Sequence, residues 1–110
     1  MDTHQLLRSL GIYRSLVGYH YLSYGLSLIL IDEERLACVT KNLYPEIALH
    51  YGVSYASVEK ALRYAVTRCW EYGNRDFLDQ VAGFTLFRKP TVAQFFDILA
   101  AYLMRHAEAV

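Results

Sequence analysis

Proline and glycine are scarce in this sequence: two prolines, Pro45 and Pro90, and six glycines stand among 110 residues. That scarcity excludes a Pro-rich or Gly-rich linker, and no low-complexity segment or internal repeat interrupts the chain, so residues 1–110 read as a single domain. Cysteine is equally sparse. Cys38 and Cys69 have no CxxC spacing and no neighbouring Cys/His cluster, whereas a zinc site wants about four ligands in close pairs. Both thiols are expected to be buried and reduced. Long apolar runs are missing too. The most apolar stretch, Leu26 to Ile31, falls far short of the roughly 18–20 residues of a membrane span. The start, Met-Asp-Thr-His-Gln, carries an acid where a secretory leader would carry basic residues. The expectation is a soluble, cytoplasmic protein with no membrane association. Finally, there is no surplus of charge: 11 Lys and Arg balance 11 Asp and Glu. Neutrality weighs against a generic polyanion binder, whose affinity comes from excess cations, but leaves a local basic patch open.

Apolar and aromatic residues are abundant, at 55% and 15%. That is enough for a real core without disulfides or metal. Ten tyrosines are many for this length. Tyr13, Tyr19, Tyr21, Tyr24, Tyr44, Tyr51, Tyr72 and Tyr102 are expected to pack, and Tyr55 and Tyr64 to face a partner.

Apolar spacing is helical nearly throughout. A short helix spans about Thr3 to Leu10, with Thr3 as N-cap and Gly11 in the left-handed position after it. A second runs from about Gly18 to Ile31 and, being apolar all round in its last turn, is expected to be central and buried. Asp32-Glu33-Glu34 opens a third helix carrying Leu36, Val39, Leu43, Ile47 and Ala48, kinked or restarted at Pro45 and closed by Gly52. Ser54 caps a fourth, about residues 55–72, whose Val58, Ala61, Leu62, Ala65, Val66, Cys69 and Trp70 make one apolar stripe. Gly73-Asn74 stops it. A short helix from Arg75 to Ala82, an ordered loop through Pro90, and a last helix capped by Thr91 complete an all-α domain of about six helices.

The third and fourth helices, joined by a turn of about three residues containing glycine, form a helix-turn-helix, the motif whose second helix enters the DNA major groove. The exposed face of that helix offers suitable donors and acceptors. Lys60 and Arg63 can donate to guanine, Glu59 can accept from cytosine N4, and Ser54, Tyr55, Ser57 and Tyr64 can reach phosphates. Arg68, Lys41 and Lys89 are expected as phosphate contacts, Lys89 beside Arg88 in the loop before the last helix. The pattern alone fits equally a solvated amphipathic helix with an ordinary Glu59–Arg63 pair at i,i+4.

A set of strings along the chain narrows that choice. They are Gly18-Tyr19-His20-Tyr21-Leu22, Thr40-Lys41-Asn42-Leu43-Tyr44-Pro45-Glu46-Ile47-Ala48, Val58-Glu59-Lys60-Ala61-Leu62-Arg63-Tyr64-Ala65, Trp70-Glu71-Tyr72-Gly73-Asn74 and Lys89-Pro90-Thr91. Through them the sequence resembles the C-terminal effector domain of the stage-zero sporulation protein A family over roughly Leu6 to Leu103. The resemblance implies a six-helix domain that binds short promoter boxes in double-stranded DNA, as tandem copies or a homodimer on DNA, and regulates transcription. The family's recognition run resembles Arg-Val-Glu-Arg-Ala-Ile-Arg-His. Here Glu59 and Arg63 match, Lys60 and Ser57 stand where arginines would be, and Tyr64 where a histidine would be. Lysine keeps charge but loses the planar two-point fork, so the expected target is altered or relaxed. The family's receiver domain does not fit in 110 residues, which implies a stand-alone relative or a separately expressed piece.

No nucleophile–base arrangement and no phosphate-cradling glycine motif is present, so neither an enzyme nor a cofactor is expected. His20 is expected in the core and His50 at a helix end. A rival reading is an interaction module that modulates a related full-length sporulation regulator, for example through the aromatic last helix, without touching DNA. Between Lys41 and Arg68 there are four Lys/Arg and two Glu. That local surplus suits specific docking and forecasts a weak, salt-sensitive, sequence-dependent binder.

Overall fold

Why this chain bends where it does is visible first at its helix ends. The computed structural model describes residues 1–108. Helices α1 (Thr3–Ser9), α2 (Val17–Ile31), α3 (Val39–Asn42), α4 (Tyr44–Tyr51), α5 (Tyr55–Tyr72), α6 (Arg75–Ala82) and α7 (Val92–Glu108) follow one another, with a 3₁₀ helix at Glu33–Ala37. No strand occurs among the described residues. Counting α3 and α4 as one helix broken at Leu43, there are six α-helices among the described residues.

The caps account for most boundaries. Asp2, not Thr3, caps α1: its carboxylate accepts from Gln5 N, and the Gln5 side chain returns a bond to Asp2 N, a reciprocal capping box. Thr91 and Gln94 make the same box ahead of α7. Asn74 caps α6 through Phe77 N. The expected third helix starts late. Asp32 does act as a cap, accepting from Glu34 N, but the turn it opens is the 3₁₀ helix. Cys38 is then extended, and α-helix begins only at Val39. Pro45 sits in the first turn of α4, where its missing N–H costs nothing, so it starts a helix rather than bending one.

Helix α2 is the hub, packed against α1, α4, α5, α7 and the 3₁₀ helix. It has no side-chain cap, so burial rather than local bonding holds it. Two glycines let neighbours close in. At Gly18 an added Cβ would lie 2.6 Å from Ala61 O and 2.7 Å from Ala65 Cβ of α5, and at Gly25 it would lie 2.7 Å from the Phe96 ring of α7. The core is continuous, from Leu6, Leu7 and Leu22 through Leu43, Ile47 and Leu62 to Phe95, Phe96 and Leu99, all fully buried.

Several expectations fail, for one reason. Periodicity identifies a stripe but not where the stripe outruns its neighbours. The last turn of α2 is not buried: Ile31 is 86% exposed and Leu30 is also exposed. Tyr13 and Tyr72 stand in solvent. Cys38 is exposed while Cys69 is buried. His20 is no core residue; its ring lies at the surface and bonds Arg14 O. Trp70 is half-buried, covered by the Arg75 guanidinium. No helix among the described residues is long and apolar enough to cross a membrane.

Candidate nucleic-acid interface

Two polar devices build the turn between α4 and α5. Gly52 adopts a left-handed conformation, φ 65°, and Val53 N donates to Ala48 O across it at 3.0 Å. This satisfies carbonyls that the end of α4 leaves unpaired. Ser54 then caps α5, its Oγ accepting from Ser57 N at 3.1 Å and donating to Ser57 Oγ at 2.9 Å. The side chain three residues after the cap is serine rather than glutamate, so two hydroxyls complete the cap between them.

Helix α5 turns Val58, Leu62, Ala65, Val66 and Cys69 inward. Ala56, Ser57, Lys60, Arg63, Tyr64 and Glu71 are exposed along the other side, and Thr67 and Arg68 are half-buried at its edges. Glu59 and Arg63 form an ion pair on this surface. Exposed i,i+4 pairs are worth only about 0.3–0.5 kcal/mol, so either group can be released to a base edge at little cost. Tyr55 lies against Tyr44 of α4, with ring centroids 5.4 Å apart. The Tyr44 phenol is pushed up to about 12 by burial, with the Glu59 carboxylate and Tyr55 adding to the rise and Arg63 opposing it. It stays a neutral donor beside Glu59.

The flanks differ. On one side Lys89, from the loop before α7, donates to Thr67 Oγ1 of α5 at 3.1 Å. Lys89 also lines a groove with Glu59, Arg63, Tyr44 and Thr40. Lys41 is exposed on α3 but lies outside the walls of that groove. Arg68 reaches along α5 and places its guanidinium over the Tyr72 ring, 5.2 Å from the centroid. Arg88 and Lys89 part company, since Arg88 lines a different groove, between α6, α7 and the preceding loop. Thus Tyr55, Ser57, Glu59, Lys60, Arg63, Tyr64 and Arg68 share α5 with Ser54 as its cap, Lys89 is docked against it, and Lys41 stands on α3.

Two supports escaped the sequence. Asp79 of α6 accepts from Leu86 N at 3.0 Å. Arg75 stacks on Trp70 and donates to the carbonyls of Trp70 and Leu86. Together they hold the loop that delivers Lys89. Their partners lie 5, 7 and 11 residues away, outside any local helical spacing, so only the fold reveals them.

With the bent α3–α4 helix, the glycine turn and α5 in place, comparison with protein families is decisive. Residues 3–103 match the family model "Sporulation initiation factor Spo0A C terminal". The chain belongs to this family. The match runs from the first residue of α1 into the last turns of α7, so the whole helical core falls within it. The Spo0A C-terminal family is the DNA-binding effector domain of that factor and is not a catalytic family.

Proposed function

We propose that this protein is a sequence-specific DNA-binding transcription regulator that lays α5 in the major groove of double-stranded DNA. The observation that carries the reading is the exposed, polar N-terminal half of α5 behind a glycine turn, in a chain whose family is a DNA-binding one. Glu59, Lys60 and Arg63 meet base edges, with Tyr64 beside them. Ser54, Tyr55, Ser57, Arg68, Lys41 and Lys89 meet phosphates and set the register. Lysine at 60 and serine at 57 leave Arg63 as the one planar fork in the reading half of the helix. The contact surface is small and its charge surplus modest, so binding is weak alone, and tandem copies on adjacent promoter boxes supply the rest.

Selection of random duplex DNA at low and at moderate salt tests this. The expected result is one enriched motif whose affinity falls with salt. No enrichment at either salt overturns the reading, and co-purification of a related full-length regulator in its place would make the chain a modulating module.

A further inference from the structure

Away from the α5 face, a second cluster of basic side chains gathers. His4 and Arg8 of α1, Arg14 of the following loop, and Tyr19 and His20 at the start of α2 line one depression of 360 Å³. Its walls include no carboxylate. The ion pair recorded among the described residues is Arg63–Glu59, so neither Arg8 nor Arg14 is neutralised by an acid. In a chain of zero net charge, two guanidiniums and two imidazoles facing one small space are a concentration of unbalanced donors. The two guanidiniums repel when gathered this way, and an anion in the space removes that repulsion.

The rim is organised rather than loose. Tyr19 is buried, and its hydroxyl bonds His4 Nδ1 at 2.5 Å. His20 Nε2 donates to Arg14 O at 3.0 Å, tying the loop to α2. The Tyr19 and His20 rings meet edge to face, 5.2 Å between centroids. These bonds leave His4 Nε2, His20 Nδ1 and both guanidinium forks without recorded partners among the described residues. Tyr19 and His20 stand in the first turn of α2, whose N-cap, Leu16, makes no side-chain cap bond.

We propose that this depression is a binding site for a phosphate group. Two arginine forks around one space suit a tetrahedral oxyanion, which accepts several charge-assisted bonds at once. A space of 360 Å³ holds a phosphate with several waters, each taking roughly 30 Å³. None of its residues lies on α5 or in the loop before α7, so the site does not depend on the groove reading. The phosphate is either a free phosphoryl compound or a phosphodiester of bound DNA.

The test is a titration of the full chain with inorganic phosphate at constant ionic strength, followed by backbone amide NMR, with chloride and acetate as controls. The expected result is a saturable shift confined to the amides of residues 4, 8, 14, 19 and 20, weakened at least about tenfold in the double variant Arg8→Ala/Arg14→Ala. Both arginines are exposed, and an unchanged circular dichroism melt confirms that the variant folds. A duplex DNA arm identifies the source. If DNA moves the same amides, and the double variant lowers the slope of log affinity against log salt by about one to two, the phosphate is the backbone's. If DNA leaves them unmoved while phosphate saturates them, the ligand is a free phosphoryl compound. The site is refuted if neither phosphate nor DNA gives a saturable response that the variant removes, or if chloride or acetate reproduces it.

Discussion

At the scale of the residue, the proposed groove reading divides two tasks between Arg63 and Lys89. Arg63 stands on the exposed face of α5, bonded by Glu59. Replacing it with alanine is expected to remove about 1–3 kcal/mol of discrimination between the selected motif and a scrambled duplex. Binding titrations on both duplexes read this directly, and equal losses on the two would show that Arg63 does not read bases. Lys89 is held by Thr67 at the flank. Lys89→Ala should weaken every duplex alike and lower the salt slope by about one. The cysteines contrast as sharply. Cys38 is exposed, and its thiol is held below the usual range by the Thr40 hydroxyl first, then by the Lys41 backbone. Burial pushes Cys69 up to about 12. A thiol reagent at pH 8 should label one site per folded molecule, Cys38, and the second only in urea. Two fast labels would contradict the packing of Cys69.

At the scale of the element, glycines act in two different ways that substitution can separate. At Gly52, φ 65°, an added Cβ would meet nothing within 4 Å. Its replacement costs only backbone strain, about 1–2 kcal/mol for alanine in the left-handed region. Asparagine tolerates that region, so Gly52→Asn should melt above Gly52→Ala. At Gly18 the obstacle is Ala61 O and Ala65 Cβ of α5. Every side chain collides there, and Gly18→Ala, costing about 1–3 kcal/mol, should still melt above Gly18→Asn. Thermal melts of the four variants give the order, and rescue by asparagine at 18 would refute the α2–α5 contact. The same contrast marks what sequence can say about elements. Gly52 and Ser54 announce the turn, and the spans of α5 and α6 follow from periodicity and caps within a few residues of each other. The late start of α3 does not, because an extended Cys38 breaks a helical pattern that the neighbouring side chains continue.

At the scale of the whole molecule, stability should carry an alkaline signature. Cys69 and Tyr44 have ordinary values of 9.0 and 10.0 and are raised in the fold to about 12, by burial in both cases. Above about pH 9 the unfolded chain releases these protons while the folded chain keeps them. The folded state then binds more protons, so stability falls as pH climbs from about 9 toward 12. Urea unfolding at pH 8, 9, 10 and 11 measures the slope. The double variant Cys69→Ala/Tyr44→Phe should flatten it, and an unchanged slope would show that other groups set alkaline stability.

The sequence by itself determined the all-α class, the single core, the helix-turn-helix and the face of α5. Those features rest on local rules, namely 3.6-residue periodicity, caps and turn chemistry, which need no knowledge of neighbours. The tertiary structure decided what the loops do and which surfaces remain open. It parted Arg88 from Lys89, tied Lys89 to Thr67 22 residues away, and exposed His20 and Ile31. It also gathered His4, Arg8, Arg14 and His20 around one depression. The physical reason is common to all of these. Burial and charge density depend on which elements meet, and α2 chooses those meetings through close contacts at Gly18 and Gly25 that no spacing along the chain encodes.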